Sequence, residues 1–270
     1  MAEIPPPVQP IGVEMNLRQL ALPAATERLY NDFLKHLETR IERGDDRNDI
    51  CRDALAELWG HQPGNTMLNA QFDPRNATLE PEYYADCDPA RFARVKPLLW
   101  LWYMYDRSPA GLNLELGFRL RRLLAKHVFK RCGKNFKCFP FVEFTFGYNM
   151  EVGDNVVLHR WVFVDDRGGV VLGDKASLSD FVNVYSHTHD INLQQFVENK
   201  KTVIGPRCRL TYHSTVLAGA NLGENSMLGA HGLLTRDGRE HAVYVGLPAK
   251  KVKEKDRELA QPVRHPEERM

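Results

Sequence analysis

A period of six residues constrains this chain more than any other feature. From Val152 to Gly238 an aliphatic residue recurs at Val152, Leu158 and Val164, at Leu172, Leu178 and Val184, at Ile204, Leu210 and Val216, and at Leu222, Leu228 and Leu234. Four residues after each slot stands a small or short-branched residue: Val156, Val162, Gly168, Ala176, Val182, Thr188, Cys208, Ser214, Ala220, Ser226, Gly232 and Gly238. The register slips twice, at the Arg167-Gly168-Gly169 turn and after His189, and both slips divide the slots into threes. A period of six is neither helical nor simple alternation; it is the mark of a parallel β-helix built on hexapeptides. Each hexad supplies a short strand and a corner, and three hexads close one triangular coil. The aliphatic slot points into the prism and the small residue fits the corner. The repeat predicts about four regular coils, a prism roughly 20 Å tall at the usual strand spacing, preceded by an irregular lead-in coil over Cys132–Met150. An ordinary β-sandwich has no reason to keep a strict six.

The rest of the chain predicts helices around this mainly β unit. Residues 1–13 are Pro-rich and read as a flexible lead. Residues 14–131 read as a mostly helical N-terminal region, with a stripe over 14–43 broken at Pro23, a second helix over Asp49–Trp59, and an amphipathic helix over Asn113–Arg131. Between them, His61–Pro89 reads as loop by composition. The aromatic cluster of Trp100, Trp102, Tyr103 and Tyr105 reads as core. Residues 132–252 form the β-helix domain, and 253–270 a charged tail that frays.

Charge narrows the function. With 36 basic and 35 acidic residues the net charge is +1, which argues against a general nucleic-acid binder. The longest apolar stretch, Pro97–Tyr105, is too short to insert through a membrane. Five irregularly spaced cysteines with no CxxC pair support neither a disulfide framework nor a zinc knuckle. Together with the lack of a basic, then apolar N-terminus, they predict a reducing, cytoplasmic setting.

Chemistry concentrates at one corner. His187 and His189 bracket Thr188, read as the corner residue, and a fourteen-residue insertion, Asp190–Val203, begins there. A solenoid tolerates insertions at corners because they leave the ladder intact. A loop there can shield a groove, and histidine, with an unperturbed pKa of about 6.5, suits a general base worth about 10²–10⁴-fold in rate. Asp165 on the Asp165-Asp166-Arg167-Gly168-Gly169 turn either orients a histidine, binds a hydroxyl or caps the turn. His159 lies nearby in sequence, and His159, His187 and Asp165 are candidate substrate-binding residues. His213 and His231, one coil apart, are expected to stack on one outer face, and no metal is expected.

These pieces resemble a known family. The stretch from Phe141 to Lys251 resembles the hexapeptide-repeat acyltransferases with a left-handed parallel β-helix, and within them the maltose, galactoside and polysaccharide O-acetyltransferases. The residues that carry the resemblance are Asp165-Asp166-Arg167-Gly168-Gly169, Leu172-Gly173-Asp174, Ser186-His187-Thr188-His189-Asp190, Leu228-Gly229-Ala230, Leu234-Thr235-Arg236-Asp237 and Val245-Gly246-Leu247-Pro248-Ala249-Lys250. Handedness is implied by the resemblance alone. The resemblance further implies a homotrimer with sites in the grooves between prisms, acetyl-CoA or another acyl-CoA as co-substrate, and transfer to a hydroxyl of a small-molecule or glycan acceptor. By motif position His189 is the base and Asp165 lies near the acceptor. Ala230, Thr235, Arg236 and Lys250 contact the CoA, with Tyr212 beside its pantetheine arm. One departure stands out: Arg209-Leu210-Thr211-Tyr212-His213 replaces the family's usual tryptophan–aliphatic–glycine run. Two alternatives remain on the sequence: a catalytically silent trimeric scaffold, and a metal-dependent enzyme resembling the γ-class carbonic anhydrases, which needs three histidines converging between subunits.

Overall fold

A computed structural model describes residues 21–60 and 64–255. The flexible lead expected over 1–13 and the last residues of the tail, 256–270, lie outside the described residues. Among the described residues five α-helices come first: α1 (Ala24–Arg43), α2 (Arg47–Trp59), α3 (Thr66–Phe72), α4 (Pro89–Arg107) and α5 (Leu114–Val128). The passage expected to be loop over 61–89 holds α3 and two short 3-10 turns, Pro74–Asn76 and Glu80–Tyr83. Side-chain caps start these elements at positions that composition alone does not flag. Asn65 accepts from the Leu68 N–H and Asp73 from the Arg75 N–H, satisfying donors that a helix start leaves orphaned.

The prism follows as a parallel β-helix. Its first coil is β1 (Arg131–Cys132), β2 (Lys137–Cys138) and β3 (Glu143–Phe144). The second is β4 (Met150–Val152), β5 (Val157–Leu158) and β6 (Phe163–Val164), and the third is β7 (Val170–Leu172), β8 (Ser177–Leu178) and β9 (Asn183–Val184). A hairpin of β10 (His187–His189) and β11 (Val197–Asn199) then leaves the prism. Two more coils complete the stack: β12 (Thr202–Ile204), β13 (Arg209–Leu210) and β14 (Thr215–Val216), then β15 (Asn221–Leu222), β16 (Met227–Leu228) and β17 (Leu233–Leu234). The sheet orders are β1-β4-β7-β12-β15, β2-β5-β8-β13-β16 and β3-β6-β9-β14-β17, all parallel. A partial sixth coil adds β18 (Ala242–Val245), which pairs with β16, and β19 (Lys250–Glu254), which pairs antiparallel with β18 and closes that sheet. Residues 253 and 254, expected to fray, therefore belong to a strand.

The slots behave as the repeat requires. Every slot side chain from Cys138 to Leu234 is buried. The expected irregular lead-in is a regular coil instead. Arg131 pairs with Glu151, Lys137 with Val157 and Glu143 with Phe163, the same offset that joins the second coil to the third. Its slots are Cys132, Cys138 and Phe144, and its corners are Phe136, Val142 and Tyr148, of which Phe136 and Tyr148 are larger than the corner residues elsewhere. The helices explain the difference. The first coil would otherwise expose apolar slots and open strand edges, and here they are covered. Phe129 packs edge-on against Phe136 and Phe144, and Trp102 against Phe144.

A buried ion pair fixes the cap to the coil. Arg121 of α5 and Asp106 of α4, both buried, bond to each other; Arg121 also donates to the Cys138 carbonyl at 3.1 Å, and Asp106 accepts from the Phe141 N–H at 2.7 Å. The aromatic cluster expected in the core is there: Trp102 and Tyr105 are fully buried.

Candidate active site

The third corner of each coil, between sheets three and one, carries the chemistry. In the second coil that corner is the Asp165–Gly169 turn. Asp165 is 1% exposed, and its carboxylate accepts from the backbone N–H groups of Ser186 (3.2 Å), His187 (3.2 Å) and Arg167 (3.3 Å) and pairs with Nδ1 of His187. Of the roles open to Asp165 on sequence, orienting a histidine and capping the turn are both present. The neighbouring Asp166 is fully buried. Burial pushes its carboxyl up to about 6, against N–H donors from Phe146, Gly147 and Asn149.

In the third coil the chain leaves at the same corner. Ser186 donates its hydroxyl to the Asp165 carbonyl at 2.6 Å and accepts from the Gly168 N–H at 2.8 Å, which locks the two turns together. The Lys200 N–H donates to the Ser186 carbonyl at 2.7 Å and closes the hairpin base. Gly168 lies against that bond. A Cβ on it would stand 2.3 Å from the Ser186 oxygen and 2.5 Å from the Lys200 nitrogen, so only glycine fits.

Thr188, expected as a corner residue, lies instead in the middle of β10, exposed and opposite Glu198. The hexad count places a corner there, but the insertion converts the hexad into a hairpin arm before the corner is reached. Alternation along β10 puts His187 and His189 on one face. Their rings meet edge-to-face at 5.3 Å. His187 is half-buried against Asp165, whereas His189 is exposed and its Nδ1 bonds the Gln194 carbonyl at 2.8 Å. A carbonyl can only accept, so Nδ1 carries a proton, and in the neutral ring Nε2 keeps the lone pair. Gln194 acts through its backbone, so its side chain gave the sequence no signal.

The other candidates fall on two edges. Thr235 and Arg236 occupy the same corner as His187 and His189, two coils on, roughly 10 Å along the prism at normal strand spacing. Arg236 and Lys250 share a cavity of about 400 Å³ with Arg239, Lys251, Asp237 and Tyr244. Arg239 follows Arg236 on the same turn, whereas Lys251 went unnoticed in the sequence because β19 brings it in. Four basic residues and one carboxylate line it; Lys251 pairs with Glu254, and Asp237 is already occupied by the N–H and side-chain amide of Asn221. The cavity thus suits an anion.

Tyr212, Ala230 and His159 sit on a different edge, the corner between sheets two and three. His159 stacks on Phe139 at 4.7 Å, and burial lowers its pKa; within the chain it does not join Asp165. That edge carries a column of stacked rings at left-handed backbone positions: Phe141, Trp161, Phe181, His213 and His231. His213 and His231 stack at 5.0 Å as expected, and Tyr212 beside them is 55% exposed. Among the described residues no group of three His, Cys, Asp or Glu side chains is placed to hold a metal ion, and no helix is long and apolar enough to cross a membrane.

Comparison with known proteins bears on the fold. No family model matches the chain. The galactoside O-acetyltransferase of Escherichia coli is 27% identical over 138 residues, 50% of this chain and 68% of that protein. A maltose O-acetyltransferase structure from Clostridium difficile superimposes with a TM-score of 0.55 at 23% identity, covering 64% of this chain and 92% of that one. A galactoside acetyltransferase in complex with coenzyme A superimposes with a TM-score of 0.56 at 22% identity, covering 66% and 87%. In sequence and fold the chain is similar to the hexapeptide-repeat acetyltransferases.

Proposed function

We propose that the chain transfers an acyl group, acetyl in the simplest case, from acyl-CoA to a hydroxyl of a sugar or glycan, with His189 as general base. The observation that carries this reading is the Gln194 carbonyl on Nδ1 of His189, which leaves Nε2 as the acceptor. Nε2 takes the proton of the acceptor hydroxyl as its oxygen attacks the thioester carbonyl. The tetrahedral intermediate collapses, the C–S bond breaks, and the thiolate recovers the proton from the imidazolium. No enzyme nucleophile is needed. The basic cavity with Arg236 and Lys250 supports the CoA half, since it offers fixed positive charge for phosphates on the same edge as His189. The coenzyme A complex of a fold neighbour supports the same choice of donor.

The split of candidates between two edges supports a homotrimer. Tyr212, Ala230 and His159 of one protomer can complete the site of the next only if prisms pack edge to edge, and three-fold closure does this for all protomers at once. In this reading residues 132–252 form the catalytic domain and helices α1–α5 cap it. The half-exposed Tyr212 narrows the groove for the pantetheine arm.

A second reading has a specific observation behind it. His187, with the Asp165 carboxylate on its Nδ1, has the geometry of a carboxylate-backed base. The experiment is thiol release from acetyl-CoA against a panel of hexoses and hexosides, with the parent, His189→Ala and His187→Ala compared. Loss of turnover on His189→Ala with retained fold supports the first reading. Retained turnover there, with loss on His187→Ala, supports the second.

A further inference from the structure

The helical region reaches the histidine hairpin through one carboxylate. Asp86 lies between the 3-10 turn Glu80–Tyr83 and α4, in a segment held to the first coil by the Asp88 N–H, which donates to the Tyr148 hydroxyl at 2.9 Å. Its carboxylate takes a two-pronged bond from Arg167, Nε at 3.0 Å and Nη2 at 2.9 Å, and a third from the Asn199 side-chain amide at 2.9 Å. Arg167 is nearly buried, 7% exposed, with its guanidinium over the Tyr84 ring at 4.4 Å. Burial opposes the charge on Asp86, yet the bonds from Arg167 and Asn199 outweigh it and hold the carboxyl below the usual range.

The contacts close a circuit. Asn199 of β11 stands directly opposite His187 of β10. His187 is bound to Asp165, the Asp165 carboxylate accepts from the Arg167 N–H, Arg167 holds Asp86, and Asp86 returns to Asn199. Each arm of the hairpin is thus tied to a carboxylate: His187 bonds Asp165 through its ring and its backbone N–H, and Asn199 bonds Asp86 through its side-chain amide. We infer that Asp86 is a positioning residue for the acyl transfer, tying the orientation of the His187–His189 strand to the helical region. The effect on turnover rests on the assignment of His189 as base; the effect on the hairpin does not.

The test compares the full-length parent with Asn199→Ala, Asp86→Ala and Asp86→Asn by amide hydrogen exchange. Asn199→Ala leaves the Arg167–Asp86 fork intact, so the fold is preserved. Losing one bond to a charged acceptor is expected to speed exchange across 187–199 about tenfold, with the prism strands unchanged. Asp86→Ala does the same, and Asp86→Asn, which can still accept from both partners, restores much of the protection. Parent-like exchange in both alanine variants overturns the inference. In the thiol-release assay, kcat falls several-fold in Asn199→Ala while KM for acetyl-CoA stays unchanged. A loosened hairpin with unchanged kcat overturns the positioning role. Turnover that survives His189→Ala strikes the base assignment instead, and the exchange result still decides whether the clamp exists.

Discussion

Replacing Asp165 separates the two histidines. The carboxylate is 1% exposed and meets four N–H donors: the backbone of Ser186, His187 and Arg167 and the ring of His187. In Asp165→Asn the amide oxygen can keep the three donors on Oδ2, but the NH2 group then faces the Arg167 N–H at 3.3 Å. Loss of charge in three bonds and one mismatched donor together cost about 1–3 kcal/mol. Asp165→Ala strands all four donors where the carboxylate was 1% exposed, which raises the cost to about 3–6 kcal/mol. Denaturant unfolding of the two variants reads these losses directly, and the His187 ring resonances report the lost carboxylate. Turnover tells which histidine reacts. If His189 takes the proton, Asp165→Asn keeps its rate within about tenfold, because the asparagine still orients the hairpin. A fall of about 10⁴, the effect of removing the carboxylate behind a catalytic histidine, with fold retained, would refute the assignment and make His187 the base.

Further outcomes follow from the same geometry. The double variant Arg236→Ala/Lys250→Ala raises KM for acetyl-CoA at least tenfold and flattens its dependence on salt, with little change in kcat; an unchanged KM in initial-rate assays would remove this cavity from donor binding. Gly168→Ala forces a Cβ into the Ser186–Lys200 bond and lowers kcat more than tenfold while the circular-dichroism spectrum stays that of the parent. Burial lowers the pKa of His159, so the unfolded state binds the extra proton first: the stability it contributes is complete above about pH 6.5 and is lost as pH falls toward the folded value. His159→Phe keeps the stack on Phe139 and removes the titration, so its melting temperature drops less than the parent's between pH 7.5 and 5.5; an equal drop would show that His159 is not the group responsible.

The prism was legible because its slots need aliphatic side chains and little else, and a strict six from Val152 to Leu234 has no other cause. The first coil escaped because the same slots there hold Cys132, Cys138 and Phe144. Large corners such as Phe136 and Tyr148 are tolerated where α4 and α5 pack over them, and a repeat defined by small corners does not see them. The position of the hairpin was visible as an insertion after His189. Its pairing was not, since the hexad count made Thr188 a corner, whereas β10 is an extended arm that turns both imidazoles to one side. The family resemblance pointed to Arg236 by its turn and to Lys250 by Pro248-Ala249-Lys250, but that they share a cavity with Arg239 and Lys251 depends on the β18–β19 hairpin. The clamp at Asp86 lay furthest from view. It joins residues 81 and 113 positions apart, and short-range periodicity carries no trace of such a contact.

A structure of the protein with coenzyme A bound tests the central claim most directly. The account predicts the phosphates among Arg236, Arg239 and Lys250, and the sulfur within about 4 Å of Nε2 of His189 in the same or the adjoining protomer, close enough to share the acceptor's proton. A sulfur that ends beside Nε2 of His187, or an arm that Tyr212 turns away from the hairpin altogether, would contradict it.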